Sequence, residues 1–339
     1  MGYRIEKEKV EKKKKLLKRI LLGVLLLIIV GVCIFAACVP PNTWKYYVAL
    51  PDVGKRGQGE MRIHFVDVGQ GDATIIELPD GKTMLIDGGN GSGSATKSVL
   101  RYLNALRIDT LDYLVITHAD SDHCGGIDTI LKYKKARVAY LPPTRPEKDA
   151  QYAQAYAAVL KKGCERVYSS RELADLGRTE TAYPYTLTFL LPYAETVDGV
   201  IEGTLTDVSD NECSSVIWLD YQGTSALFAA DISSEQEQKL IRDDQLGFLA
   251  NRGVELSSTE ILKVGHHGSA SSTSTAFLEY LGTKTASISC GETNAYGHPS
   301  KEVIARLDNA DVSTYRTDLQ GHTIVTISKN GAYKVKTLG

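Results

Sequence analysis

The hydrophobic pattern divides the 339-residue chain into three parts. Residues 20–39 read ILLGVLLLIIVGVCIFAACV, and no charged residue occurs from position 20 to position 44. About 20 such residues span a bilayer as a helix. Residues 40–60 carry Pro40, Pro41, Pro51, Gly54, Gly57 and Gly59 and read as a linker. From residue 61 onward, short apolar or alternating runs mix with stretches of helical spacing. Strands are expected over 62–68, 74–78 and 83–86, with a Leu78-Pro79-Asp80-Gly81 turn between the last two. Helix 95–106, strand 111–117, helix 126–133, strand 136–141 and helix 150–162 follow. The second half adds strands 185–191, 215–221 and 225–230, then helix 235–249 and strand 260–264. Helix 275–281, strand 285–289, helix 301–307 and strands 312–315 and 323–328 complete the chain. Each half begins with hairpin-like strands and then alternates strand with helix. Two mixed sheets packed face to face, with helices outside, satisfy that order. The expected division is a basic tail 1–19, a transmembrane or signal segment 20–39, a linker 40–60 and one α/β domain 61–339.

Charge sharpens the first part of this picture. Nine of the 39 Lys and Arg residues, and three of the 41 Asp and Glu, fall within residues 1–19. The remainder therefore carries 30 basic against 38 acidic residues. A basic cluster ahead of an apolar span is expected to stay cytoplasmic, which places the acidic body outside the cytoplasm. Phe35-Ala36-Ala37-Cys38 is similar to a bacterial lipoprotein processing site, with Phe35 where Leu is usual. An uncleaved single-pass anchor is the preferred expectation, with a lipoprotein at Cys38 as the alternative. An acidic body argues against broad, non-specific binding of nucleic acid. Lys97, Arg101 and Lys263 are candidates for local positive charge near a cleft. The six cysteines form no C-x-x-C pair, so neither a disulfide framework nor a thiolate zinc site is indicated. No protein partner is expected.

The chemistry concentrates in Thr117-His118-Ala119-Asp120-Ser121-Asp122-His123-Cys124-Gly125-Gly126. Two of the seven histidines and two aspartates occupy six positions directly after an apolar strand. Imidazole and carboxylate are the usual ligands of zinc and neighbouring divalent metals. One loop cannot saturate two metals, so further ligands are expected at other strand ends. Asp231 ends the run 226–230, His266-His267-Gly268-Ser269 ends the run 261–264, and Gly297-His298-Pro299 follows the strand near 287–289. Each alone is an ordinary turn or cap residue; together they form a site pattern.

The loop resembles the H-x-H-x-D-H motif of the metallo-β-lactamase superfamily. More narrowly, the chain resembles the hydrolase domain of ComEC-type DNA-uptake proteins. The likeness rests on FVDVGQGDA at 65–73, LIDGG at 85–89, the His118 loop, NECSSV at 211–216, ADI at 230–232, KVGHHGS at 263–269 and YGHPS at 296–300. It implies an αββα four-layer sandwich with an N-terminal transmembrane helix, and one or two divalent metal ions, zinc or manganese. By motif position, one metal would use Asp122, His123 and His266, the other His118 and Asp120, with Asp231 bridging. Asp87 would support the loop from behind, as metal-bound imidazoles need outer hydrogen bonds. Two departures matter. Asp120 stands where the second His of the motif is usual. The His that usually precedes the strand of the second half is missing, and Asn211 is the nearest residue to it. Harder oxygen ligands shift preference from zinc toward manganese or magnesium. The resemblance implies manganese-supported, nuclease-like activity.

In that reading Asp122 or Asp120 orients the attacking water or takes its proton. His267 and His298 lie near the mouth and stabilise the developing charge or protonate the leaving group. Ser269 and Asn294 are candidates for substrate binding. The expected substrate is a phosphoester or nucleic acid. Hydrolysis of a lactone, thioester or β-lactam is the second reading, and a non-catalytic, metal-containing binding module the third.

Overall fold

The computed structural model describes residues 2–38, 41–171, 173, 175–176, 182–192 and 210–339. Val39 and Pro40, where the apolar segment meets the linker, lie outside the described residues. The chain divides into two compact units, Met1–Ala49 and Leu50–Gly339.

In the first unit, α1 (Gly2–Cys38) runs unbroken through both the basic tail and the apolar segment. Its stretch Glu8–Cys38 is long and apolar enough to cross a membrane, and none of it is buried. A helix that is apolar on every side is stable only within a core or a bilayer.

The second unit opens with the antiparallel strands β1 (Met61–Phe65), β2 (Thr74–Glu77) and β3 (Thr83–Ile86). Then come α2 (Gly93–Ala105), β4 (Thr110–Val115), α3 (Ser121–Cys124), α4 (Ile127–Tyr133), β5 (Lys135–Leu141), α5 (Ala150–Lys162) and β6 (Glu165–Tyr168). Strands β3 to β6 are parallel. The second half repeats the plan. Antiparallel β7 (Tyr185–Phe189), β8 (Ile217–Tyr221) and β9 (Thr224–Phe228) precede α6 (Ser234–Gln245), β10 (Thr259–Lys263), α7 (Thr275–Leu281), β11 (Thr285–Ile288), α8 (Lys301–Asn309) and β12 (Ser313–Arg316). Here β9 to β12 are parallel. After α9 (Thr317–Gln320), strands β13 (Thr323–Ile327) and β14 (Tyr333–Thr337) cross back to the first sheet. The sheets run β14-β13-β1-β2-β3-β4-β5-β6 and β12-β11-β10-β9-β8-β7.

Strand periodicity decides the layers, because alternate side chains point to opposite faces. Met61, Ile63 and Phe65 of β1 meet Ile217, Leu219 and Tyr221 of β8 in the core between the sheets. Val216 and Trp218, one residue out of phase, pack outward with Leu240 of α6, Phe277 of α7 and Leu307 of α8. On the other side, α2 buries Val99, Leu100 and Leu103, and α4 buries Ile127, Ile130 and Leu131. The result is the expected αββα four-layer sandwich.

Five elements differ from the pattern-based reading, among them the short helices α3 and α9, which it did not include. β6 and β14 are additional strands, both at sheet edges. Glu165 and Arg166 of β6, and Lys334 and Lys336 of β14, are exposed. Charges on edge strands discourage pairing with other chains, and they also mask the strand in the sequence. α6 ends at Gln245 because Gly247 takes a φ of 78°. The expected helix to position 249 therefore breaks, leaving Leu246 and Phe248 exposed.

The far face of β1 carries a polar core. His64 sits with Nδ1 3.0 Å from the Tyr102 hydroxyl of α2 and Nε2 3.0 Å from Oε2 of Glu77. Arg62 Nε donates to the same Glu77 oxygen at 2.6 Å. Burial pushes the His64 pKa down, outweighing Glu77. Burial pushes Glu77 up, but His64 and Arg62 reverse that and hold it below its ordinary range. Both folded pKa values lie below the unfolded ones. Their stability contribution is therefore complete above the unfolded pKa values and is lost as pH falls through the folded ones. The urea midpoint of the wild type is expected to drop from pH 7 to pH 5, and to drop less in His64→Gln. Equal slopes for the two proteins contradict this account.

Candidate metal centre

The parallel strands β3, β4, β9, β10 and β11 all end at the same edge of the sandwich, and each delivers one polar segment. Asp87 follows β3 with a φ of 60°. Its Oδ1 accepts from the Thr117 amide at 2.8 Å and its Oδ2 from the Thr117 hydroxyl at 2.7 Å. That Oδ2 also lies 2.8 Å from His123 Nδ1. The Thr117 hydroxyl, having donated to Asp87, accepts from His118 Nδ1 at 3.0 Å. His267 Nδ1 donates to the Ser289 carbonyl at 3.0 Å. All three imidazoles thus have Nδ1 committed to an acceptor, which leaves Nε2 as the lone-pair nitrogen facing the cleft.

Glycines let the loop sit this close. Gly71 has a φ of 130°, and a Cβ there would lie 2.4 Å from the Asp122 carbonyl. A Cβ on Gly126 would lie 2.0 Å from the Gly88 carbonyl. The backbone is stitched across these contacts by Asp72 N to Asp122 O at 3.1 Å and Gly88 N to His123 O at 2.8 Å.

Asp231, turned inward after β9 where Ala230 has a φ of 46°, lies among four Nε2 atoms. Its Oδ1 is 3.3 Å from His123. Its Oδ2 is 3.6 Å from His266, 3.7 Å from His267 and 3.9 Å from His118. Asp122 Oδ2 is 3.2 Å from His267 Nε2, and Asp120 Oδ2 is 3.6 Å from His118 Nε2. The Nε2 atoms of His123 and His267 face each other at 3.2 Å. The cluster therefore has two halves, Asp122-His123-His267 and His118-Asp120, with Asp231 between them and His266 beside its outer oxygen.

The motif-based expectation paired His266 with Asp122 and His123 and set His267 at the mouth. The distances place the two histidines the other way round. His267 is buried and His266 is part-exposed. Both have left-handed backbones, φ 47° and 52°, so the alternation of β10 does not carry into them. His298 does line the mouth, beside Gln70, Tyr296, Asp120, Asp122, Asp231, His266 and His267. Ser269, Asn294 and Asn211 each make local contacts. The Ser269 hydroxyl lies 3.0 Å from that of Ser271. Asn294 donates to the Gly291 and His298 carbonyls and accepts from the His298 amide. Asn211 lies in the 3-10 turn Asp210–Cys213, its carbonyl 3.1 Å from the Ser214 amide. The segment after it runs against the metal loop, with Ser215 N donating to Thr117 O at 2.9 Å. Lys263 does not face a cleft: it is 3% exposed, with Nζ 2.9 Å from Asp72 Oδ2.

Asp72 also approaches the histidines, but from behind. It lies 4.0 Å from His123 Nδ1 and 3.8 Å from His267 Nδ1, on the sides away from the Nε2 cluster. With His123, Asp231 and His267 it forms a buried group whose potential ligand atoms all lie within 4.8 Å of one another. Gln70 and Tyr296 are the cleft residues that sequence reasoning did not single out. Gln70 falls within the FVDVGQGDA likeness and Tyr296 within YGHPS, so the signal was present but was not tied to a side-chain role.

The electrostatics favour a cation among these atoms. Burial opposes charge on His123 and His267, yet Asp231 first, with Asp87 on one ring and Asp72 on the other, raises both pKa values. Burial also opposes charge on Asp231 and Asp122, yet the same histidines hold both below the ordinary carboxylate range. His118 Nε2 and Asp231 Oδ1 are buried without a hydrogen-bond partner. Each open buried polar atom costs about 1–3 kcal/mol. Coordination to divalent metal satisfies these atoms, and the donor set of imidazoles and carboxylates fits it. Asp87→Asn keeps the shape of the support but lowers its basicity, and metal affinity is expected to fall roughly 10–100-fold. Titration with manganese or zinc followed calorimetrically checks this; unchanged affinity refutes the supporting role.

ComE operon protein 3 of Bacillus subtilis (strain 168) is 29% identical over 279 residues, covering 77% of this chain and 32% of that protein. Recombination protein 2 of Haemophilus influenzae is 29% identical over 267 residues, covering 78% and 28%. Competence protein ComA of Neisseria gonorrhoeae is 26% identical over 274 residues, covering 81% and 33%. The chain spans about a third of the length of these relatives. Residues 66–292, which include every strand end of the cluster, match the family described as the Metallo-beta-lactamase superfamily. The chain belongs to that superfamily of metal-dependent hydrolases and is related to the ComEC-type competence proteins.

Proposed function

We propose that this protein is a membrane-anchored phosphodiesterase or nuclease that works outside the cytoplasm with divalent cations at the Asp231 centre. The observation that carries the reading is Asp231 within 3.9 Å of four imidazole Nε2 atoms, flanked by Asp120 and Asp122. Asp122, His123 and His267 would hold one cation and His118, Asp120 and His266 the other, with Asp231 shared. A bound divalent cation would polarise a phosphoryl oxygen and lower the pKa of its water to about 7. Three carboxylates in the set favour manganese over zinc.

The chain's own groups do the remaining work. Asp87, Thr117 and Ser289 hold the imidazole tautomers. Asp120, 41% exposed, is open to orient the attacking water and accept its proton. Gln70 Nε2 is buried in the cleft wall without a partner and can donate to a phosphoryl oxygen. His298 at the mouth meets the leaving group. The basic end of α1 favours a cytoplasmic N-terminus, with α1 as an uncleaved anchor.

The full chain in detergent is expected to hydrolyse bis-p-nitrophenyl phosphate and DNA with manganese, and to lose this activity in Asp122→Ala. Turnover of nitrocefin or a lactone without phosphodiester turnover overturns the proposal. A mature mass of 37.0 kDa supports the uncleaved anchor, whereas a lipid-modified chain starting at Cys38 overturns it.

A further inference from the structure

The rim of the cleft carries an aromatic stack whose outermost ring the hydrolytic chemistry leaves unexplained. It starts at the buried ring of His267. The ring of His298 lies over it, centroids 6.3 Å apart and planes 26° apart. Tyr296 continues the stack at 5.7 Å and 24°. The series runs from the metal cluster to solvent, where Tyr296 is 71% exposed. His266 braces it from the side, its ring edge-on to His298 at 5.6 Å and 76°.

The platform is held in place before any ligand arrives. Asn294 pins its loop through the three hydrogen bonds to Gly291 and His298 already described. Gly291 N in turn donates to Gln70 Oε1 at 3.3 Å, tying the loop to the first half of the domain. The same Gln70 lines the cleft, and its Nε2 is buried without a hydrogen-bond partner. A single exposed tyrosine is ordinary on a protein surface. A tyrosine at the end of a near-parallel ring series, on a braced loop, offers a flat face on the cleft that Asp120, Asp122, Asp231, His266 and His267 also line.

We infer that Tyr296 is the stacking platform for an unpaired nucleobase next to the scissile phosphate, so that the preferred substrate is a single strand. The inference rests on the phosphodiesterase reading. Only an unpaired base can leave its neighbours and lie against a side chain, and aromatic residues are the usual acceptors of such bases. Charge points the same way. Beyond residue 19 the chain has more acidic than basic residues, so a broad phosphate-binding face does not supply the affinity. Stacking supplies it without net charge, at about 5- to 150-fold per base.

The test compares the full chain in detergent, with manganese, on labelled oligothymidylate and on an abasic strand of equal length. The wild type is expected to prefer the base-bearing strand about ten-fold or more in kcat/KM. Tyr296→Ala is expected to bring that ratio near one, and Tyr296→Phe to preserve it, since the ring and not the hydroxyl does the stacking. Fluorescence anisotropy of the labelled oligothymidylate in chelator should show the same order of affinities. An unchanged ratio in Tyr296→Ala, or loss in Tyr296→Phe, overturns the stacking role. If the wild type cleaves neither strand, the phosphodiesterase reading fails. Anisotropy then still decides the stacking role, which is overturned if Tyr296→Ala binds as tightly as the wild type.

Discussion

Asp231→Ala is expected to remove hydrolysis and most bound metal while leaving the fold intact. Among the described residues, Asp231 is the one carboxylate near Nε2 of His118, His123, His266 and His267 together. Without it, the two halves of the cluster have no carboxylate in common. Loss of an outer support such as Asp87 costs roughly 10–100-fold in metal affinity. Loss of a shared ligand should exceed that range for at least one equivalent of metal. The fold should survive, because the two sheets join through a core that excludes this side chain. Metal content after dialysis, phosphodiester turnover and circular dichroism measure the three parts separately. A variant with full metal content and turnover contradicts the centre as described.

Lys263→Met should have the largest effect on stability. After Ile261, Lys263 is the next β10 residue on the face toward the other sheet. Its ammonium meets Asp72 Oδ2 at 2.9 Å and donates to the Val264 carbonyl at 3.0 Å. Burial pushes Asp72 upward, but Lys263, His267 and His123 hold it below its ordinary range, so it stays ionised. Removing one partner of a buried pair leaves the other charge uncompensated and costs about 3–5 kcal/mol. Methionine keeps the length of the stem, so the loss reports charge rather than a cavity. Adding Asp72→Asn removes the stranded charge and should recover much of the stability. Urea unfolding of the two variants measures both steps. A loss below about 1 kcal/mol, or a double variant no better than the single one, refutes the pairing.

The fold was legible where burial leaves a period in the sequence. The two-fold repetition of hairpin strands followed by alternating strand and helix appears in the sequence and again in both sheets. The edge strands β6 and β14 were missed because their exposed charges break the apolar signal that central strands display. The helix expected to run to position 249 was stopped by one glycine in a left-handed conformation, whose φ the residue type permits but does not dictate.

For the metal centre, the sequence by itself determined the donor types and their delivery at strand ends. His118, Asp120, Asp122, His123, Asp231, His266 and His267 are all within the cluster, and the carboxylate at Asp120 is a property of composition alone. Only the tertiary structure decided which of two adjacent histidines turns inward. Past the end of β10 both residues leave the extended conformation, and strand alternation no longer assigns their directions. It also decided that Lys263 is a buried counter-charge rather than a cleft cation, and that Asn294 hydrogen-bonds within its own loop. The physical reason is the same in each case. Residue type limits what a side chain can bind, but its partner can be a group far away in the chain, as with Lys263 and Asp72, and these meet only when the sheets pack.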